Sequence, residues 1–160
     1  MIRIGIDPDA KKHGVSVYVD EQLTDLFSMT TIELYEYLVK LTNGLTVKDV
    51  IVGIEDNNSI KAIYKKRLGA KDTLAKKLSI AQDVGRVKHA QVEVEGVLNH
   101  LCIKFVRLKP SSRFKKTDDP SFKHLTKWAG RSNPDTRSAA WFGYQIKSLT
   151  LAKYEMLKAQ

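Results

Sequence analysis

Three acidic residues of this 160-residue sequence stand where the ends of predicted elements should meet. Asp7 ends a first alternating strand, Glu55 ends a short apolar run, and Asp135 lies in the first turn of the last predicted helix. In a mixed sheet, ligands gather at the carboxyl ends of the strands. Clustered carboxylates repel one another unless cations bind between them, and hard divalent ions such as Mg²⁺ or Mn²⁺ prefer oxygen ligands. Two such ions roughly 3.5–4 Å apart can clamp a phosphodiester for attack by water.

Each of these acids also has a purely structural interpretation. Asp7 can simply open a turn, since an Asp-Pro pair often does so. Glu55 can pair with a nearby lysine, and Asp135 can complement the dipole of its helix. We interpret Asp9 and Asp56 as exposed turn residues. Spacing alone therefore leaves both a metal cluster and ordinary structural roles open.

The apolar pattern predicts the elements that would position these acids. Alternation over residues 2–7 and 15–19 predicts an N-terminal hairpin, and residues 22–29 predict a third strand. Helical spacing over residues 32–41 predicts a helix capped by Thr30 or Thr31. The run VIVGI, just before Glu55, is typical of a strand that is buried on both faces.

The second half of the chain predicts a long helix, a strand and two further helices. The long helix covers about residues 71–100, the strand covers 103–108, and a short helix follows over 121–130 and ends at Gly130. A last helix is capped by Ser132 and Asn133, with Pro134 at its first position. Two glycines inside the long helix indicate close approach of another backbone. The stripe predicted on that helix consists of Leu74, Leu78, Ala81, Gly85, His89, Val92 and Gly96.

Composition narrows the class of partner. Lys and Arg together number 27 against 18 for Asp and Glu, which gives a formal net charge of +9 and indicates a polyanion, most simply a nucleic acid. Cys102 is the only cysteine, which excludes an intrachain disulfide and a cysteine-based zinc site and fits a reducing cytoplasm. No apolar run is long enough to span a bilayer, so we expect no membrane partner. The length suits one domain over residues 1–160.

Five stretches carry, in order, a resemblance to a known family. They are IGIDPDAKKHGVSV at 4–17, VIVGIED at 50–56, SIAQDVGRVKHAQVEVEGVLNHL at 79–101, IKFVRLKPSSRFKK at 103–116 and NPDTRSAAWFG at 133–143. They resemble the first hairpin, the inner strand, the long helix, the next strand with its P-x-x-x-K segment, and the last helix of RuvC-like Holliday-junction resolvases. These belong to the ribonuclease H-like superfamily. No single motif decides the resemblance, which depends on their order.

The resemblance implies an α/β ribonuclease H-like fold, with a mixed five-stranded sheet flanked by helices. It implies that Asp7, Glu55 and Asp135 are the catalytic residues and the ligands of Mg²⁺, with two ions bound and Mn²⁺ able to substitute. The activity implied is hydrolysis of branched DNA by a homodimer that makes paired nicks at four-way junctions. A bacterial or phage-infected cytoplasm would be its location, and the small size suits a phage or mobile-element version.

One departure from the family pattern bears on activity. In the family, acids spaced D-x-x-D occur in the last helix, and the second acid falls here on Ser138. Either three carboxylates suffice for metal binding here, or the active site is altered, or activity is lost. The alternatives are therefore a nuclease of the same fold acting on RNA or flaps, and a catalytically inactive protein that binds junctions or other nucleic acids.

Two groups of cations flank the predicted site and would neutralise DNA phosphates without reading sequence. Any one of them can equally belong to a solvated basic face. Tyr64 and Phe114 lie among them and can stack on unpaired bases or anchor their loops. We assign no histidine a role. The predicted DNA-contacting cations are Lys65, Lys66, Arg67, Lys76, Lys77, Arg86, Lys109, Arg113, Lys115 and Lys116, with Arg107 beside them.

Overall fold

The computed structural model describes residues 1–43, 49–59 and 73–147. The strands are β1 Ile2–Asp7, β2 His13–Val19, β3 Gln22–Met29, β4 Val50–Glu55 and β5 Lys104–Leu108. The helices are α1 Thr31–Thr42, α2 Leu74–His100, α3 Asp119–Thr126 and α4 Pro134–Lys147, with a short 3₁₀ helix at Asn57–Ser59. Within the described ranges, no helix combines the length and apolar character that crossing a membrane requires.

The five strands form one mixed sheet in the order β3-β2-β1-β4-β5. The first three strands are an antiparallel meander, whereas β4 runs parallel to β1 and β5 runs parallel to β4. Ile6 pairs with Ile54, so the next residues, Asp7 and Glu55, lie beside each other at the same edge. The mixed five-stranded sheet expected from the sequence is therefore confirmed.

Helices cover both faces of the sheet. On one face Ile4 and Ile6 pack in a core that contains Leu34 of α1 and Val94 and Leu98 of α2. Neighbouring strand residues point to the opposite face, because side chains alternate along a strand. That second face is covered by α4, which contacts β1, β2 and β4.

Helix α4 lies unusually close to the sheet because glycine lines the contact. A Cβ atom on Gly5 would stand 1.9 Å from the carbonyl oxygen of Ala139 and 2.3 Å from the backbone nitrogen of Gly143. Two strand side chains bind the same helix, since the Ser16 hydroxyl donates to the Ala139 carbonyl at 2.9 Å and the Tyr18 hydroxyl donates to the Ala140 carbonyl at 2.9 Å. The helix is thus fixed directly against the backbone of β1 and β2.

Helix ends follow the capping signals in part. Thr30 is the N-cap of α1 and forms a capping box with Glu33, as one of the two threonines was expected to do. At α4 the cap is Asn133, whose Oδ1 accepts from the Thr136 backbone at 2.8 Å. The prediction that Gly130 ends the short helix was wrong. That helix ends at Thr126, and its C-cap Lys127 adopts the left-handed conformation with φ 61°.

The buried face of α2 differs from the predicted stripe. Leu74, Leu78 and Val92 are 73%, 57% and 55% exposed. The stripe misses the buried face because that face includes a polar residue, which interrupts the apolar pattern. A Cβ on Gly85 or Gly96 would meet no atom of the described residues within 4 Å, so the close backbone approach expected there is not found in these ranges. The residues of α2 that are buried are Val84, Ala90, Gln91, Val94 and Leu98.

Candidate active site

The three predicted acids meet at one end of the sheet. Asp7 and Glu55 end the adjacent parallel strands β1 and β4, and they are 3% and 8% exposed. Asp135 reaches the same end from the first turn of α4. Its backbone is pressed against the hairpin, because a Cβ on Gly14, the partner of Asp7 in the ladder, would lie 2.2 Å from the Asp135 carbonyl oxygen. The strand ends thus place two carboxylates side by side, and the start of α4 brings a third to the same end of the sheet.

A lysine lies between two of these acids. The Nζ atom of Lys115 is 3.1 Å from Oδ2 of Asp7 and 3.2 Å from Oδ1 of Asp135. Burial by itself lowers the pKa of Lys115, but the charges of Asp7 and Asp135 and their hydrogen bonds to the ammonium outweigh it, so the pKa lies above its ordinary value. The sequence predicted Lys115 as a contact to DNA phosphate, and in the structure its charge is directed to the acids.

Glu55 is the acid whose ionisation is most disfavoured. Burial raises its pKa, and a hydrogen bond with Asp7 and the negative charge of Asp7 add to the effect, which brings the pKa of Glu55 to about 8. Lys115 and the Asn57 amide, which donates to Oε2 of Glu55 at 3.4 Å, lower the pKa by less. Burial and the neighbouring charge of Asp7 therefore favour the protonated form of Glu55.

The carboxylate oxygens of this site suit a hard divalent cation, but in the structure two of the carboxylates, those of Asp7 and Asp135, are paired with Lys115. Carboxylate oxygens are the protein ligands that Mg²⁺ prefers. Ser138, one helical turn after Asp135, is fully buried, and its hydroxyl has no hydrogen-bond partner among the described residues. In the same ranges, no set of three or more carboxylate, imidazole or thiol groups stands ready as a metal site.

A buried amide organises the loop that follows β4. The Gln91 side chain donates to Asp56 Oδ1 at 3.1 Å and to Glu95 Oε1 at 2.8 Å, and it accepts from the Asn58 backbone at 3.0 Å. Asp56 is therefore half-buried in a network and is not the exposed turn residue expected from the sequence. Arg107 makes two hydrogen bonds to Glu95, at 2.8 and 2.7 Å, so the guanidinium expected beside the phosphate contacts is used within the protein.

Aromatic packing anchors the segment that carries Lys115. The half-buried ring of Phe114 lies 5.1 Å from Trp141 and 5.7 Å from Phe122, edge-on to both. The guanidinium of Arg113 lies over the Trp141 ring at 5.1 Å. Of the two roles that the sequence left open for Phe114, base stacking and loop anchoring, these contacts support anchoring.

The remaining predicted DNA contacts divide between described and undescribed residues. Arg86 makes an exposed pair with Asp83 at 3.6 Å, which is the kind of ion pair that contributes little to stability. Lys77 is half-buried. The predictions on Tyr64, Lys65, Lys66 and Arg67 lie outside the described residues. The exposed members of the set are Lys76, Arg86, Lys109, Arg113 and Lys116.

A buried histidine fixes the turn that follows Asp7. Nδ1 of His13 accepts from the Asp9 backbone at 3.3 Å, so Nε2 carries the hydrogen and faces the Thr31 hydroxyl at 3.0 Å. Burial lowers the pKa of His13, although nearby carboxylates oppose the shift. No role was predicted for this histidine from the sequence. The signal that could have identified it is its position at the start of β2, directly after the short turn that follows the first acid.

Comparison with a solved structure supports this architecture. No family model matches the sequence, and no curated protein sequence is similar to it. A solved structure of T. thermophilus RuvC in complex with a Holliday junction substrate is similar, with a TM-score of 0.53 and 12% identity over 98% of this chain and 96% of that chain. The chain has the ribonuclease H-like α/β fold. A second Thermus thermophilus RuvC structure has 13% identity and a TM-score of 0.49 over 99% of this chain and 97% of that one.

Proposed function

We propose that this chain is a divalent-metal-dependent endonuclease that hydrolyses DNA phosphodiesters at branched structures and resolves four-way junctions by paired nicks. Two observations support the proposal: Asp7 and Glu55 end adjacent strands of a ribonuclease H-like sheet, and Lys115 contacts both Asp7 and Asp135. The Holliday junction bound by the similar RuvC structure supports the class of substrate.

In this mechanism the three acids hold the metal. Asp7, Glu55 and Asp135 would be the ligands of Mg²⁺ or Mn²⁺. The Ser138 hydroxyl, which has no hydrogen-bond partner within the described part of the chain, lies one turn beyond Asp135. When bound, two such ions activate a water molecule and stabilise the leaving oxygen. The ammonium of Lys115, a few ångströms from two of the acids, stabilises negative charge on the attacked phosphate. No covalent intermediate with the protein is needed.

Binding of the DNA is electrostatic in this proposal. The net charge of +9 and the exposed cations near β5 attract the phosphate backbone irrespective of sequence. Lys109, Arg113 and Lys116 belong to the same segment as Lys115, so a strand bound along it reaches the acids. Paired nicks on a two-fold symmetric junction require two sites, and a homodimer supplies them.

The test is cleavage of an end-labelled synthetic four-way junction beside a linear duplex, in Mg²⁺, in Mn²⁺ and in EDTA. We expect paired nicks on the junction alone, lost in EDTA and in Asp7→Asn. Junction binding should persist or tighten in Asp7→Asn, because the substitution removes a negative charge near phosphate. Asp20→Asn is the matched control, since Asp20 is an exposed turn residue whose left-handed backbone Asn tolerates. Binding lost together with cleavage would contradict the role of Asp7.

A second candidate, a catalytically inactive junction-binding protein, is favoured by two observations. Lys115 fills the space between two acids, and Ser138 stands where the family pattern has an acid. This candidate predicts tight binding without Mg²⁺ and no nicks under any metal. Flap and RNA–DNA hybrid substrates, added as competitors in the same assay, separate both candidates from a nuclease of this fold with another substrate.

A further inference from the structure

The position of Lys115 between two acids makes it a competitor for any ion they would share. One nitrogen lies within 3.2 Å of an oxygen from each of Asp7 and Asp135. A divalent ion bonded to the same two oxygens, at the roughly 2.0–2.6 Å typical of Mg²⁺ and Ca²⁺, would have to take the space of the ammonium. Two cations in contact also repel strongly at a half-buried position.

We propose that Lys115 is an exchangeable counter-cation, whose ammonium neutralises Asp7 and Asp135 until a divalent ion binds them and then turns to the DNA phosphate. The inference rests on the proposed function, because it takes these acids as the metal ligands. It adds a resting state in which the acids are already paired, and an order of events in which the lysine leaves before the ion is fully held.

The contacts identify the lysine side chain as the partner that moves. The side chain of Asp7 is 4% exposed and belongs to a central strand, whereas that of Lys115 is 40% exposed. Lysine ends in a compact point charge on a flexible four-carbon stem, so it can turn without movement of the backbone. The preceding residue, Phe114, packs on Trp141 and Phe122, and the backbone nitrogen of the following residue, Lys116, donates to the Ser112 carbonyl oxygen at 3.1 Å.

This exchange couples the binding of metal and DNA. A phosphate that accepts Lys115 frees both acids for the ion, and an ion that displaces Lys115 frees its charge for the phosphate. Each ligand therefore increases the affinity for the other by the same factor, as thermodynamic linkage requires. A nuclease built in this way holds its metal poorly until DNA arrives.

The test measures Mn²⁺ binding to the whole chain without DNA, by the electron paramagnetic resonance signal of the free ion. Lys115→Met should bind Mn²⁺ roughly tenfold or more tightly than the natural chain, because a competing cation is gone. Lys40→Met is the control, since Lys40 is an exposed lysine on α1 and its loss changes the net charge equally. Its affinity should stay that of the natural chain.

The outcomes separate this inference from the proposed function. Unchanged or weaker binding by Lys115→Met, with binding lost in Asp7→Asn, overturns the exchange and leaves the metal site standing. If neither the natural chain nor any variant binds Mn²⁺, or if all of them, Asp7→Asn included, bind it with the same affinity, both the exchange and the proposed metal site are overturned.

A second measurement uses the natural chain. Lys115→Arg is the only variant that it needs, and this variant serves to assign the signal of Lys115. In ¹⁵N-lysine spectra, the paired ammonium of Lys115 should give a signal shifted from those of exposed lysines. Saturating Mg²⁺ should move that signal to the range of exposed lysines. A signal that keeps its position while the carboxyl ¹³C signals of the acids respond to Mg²⁺ would overturn the exchange.

Discussion

Replacing Gly5 with alanine tests the close contact that positions α4, and with it Asp135. The new Cβ would stand 1.9 Å from the Ala139 carbonyl oxygen, whereas ordinary contacts begin at 3.4 Å, so the helix has to retreat by about 1.5 Å. The two nearest obstructing atoms, the Ala139 carbonyl oxygen and the Gly143 nitrogen, belong to the backbone and cannot rotate away. Overpacking of this kind costs about 3 kcal/mol. For a chain of this length, that corresponds to a loss of about 6–12 °C in melting temperature.

The same substitution at Gly85 should act in the opposite direction. Gly85 lies inside α2, and its Cβ would meet no described atom within 4 Å. Alanine there removes backbone freedom from the unfolded chain and should stabilise the protein by about 0.5–1 kcal/mol. Thermal and urea unfolding, followed by circular dichroism without added metal, measures both variants under identical conditions.

Two results would refute this reasoning. A Gly5→Ala protein with the natural melting temperature would mean that α4 does not lie on β1 as described. A destabilised Gly85→Ala protein would mean that the exposed face of α2 has a neighbour, and a concentration-dependent melting temperature would then identify a second copy. Activity gives a further check, because a shift of Asp135 by more than about 1 Å should reduce junction cleavage about 100-fold in Gly5→Ala.

Two further predictions concern buried polar residues. The free energy of unfolding should decline as the pH falls below about 6.5. Burial lowers the pKa of His13, so the unfolded chain takes up a proton at a higher pH than the folded chain does. Urea unfolding between about pH 7.5 and about pH 5 should show that His13→Gln lacks this part of the decline. An equal decline in both proteins would contradict it. Gln91→Leu should cost about 2–3 kcal/mol, since Asp56 and Glu95 lose a donor, whereas Gln82→Leu on the exposed side of α2 should change stability by less than about 0.5 kcal/mol.

The sheet and the adjacency of Asp7 and Glu55 could be predicted because each depends on local patterns. Alternation in residues 2–7 and the apolar run before Glu55 identify two strands, and parallel neighbours end at the same edge. Asp135 follows an Asn-Pro start signal, which fixes where α4 begins. Such signals lie within a few residues of the feature that they predict.

Lys115 and Gln91 could not be placed from the sequence because their partners are remote. Lys115 is one of several lysines in a segment without periodicity, and its partner Asp7 lies 108 residues away. Gln91 has a polar side chain but is only 1% exposed, so it interrupts the apolar pattern on the buried face of α2. Its burial is compensated by hydrogen bonds to Asp56 and Glu95, and the partner Asp56 is 35 residues away, directly after β4.

Helix α4 contacts strands that lie far earlier in the sequence, and this separation has a consequence for biosynthesis. The hydroxyl of Ser16 binds a carbonyl 123 residues later, and that of Tyr18 binds one 122 residues later. At about 5–20 residues per second, a ribosome needs roughly 6–24 s to make this intervening chain. Throughout that time, one face of β1 and β2 lacks its covering helix. We therefore expect the nascent chain to depend on protection from aggregation, and chains cut before residue 134 to accumulate as insoluble material.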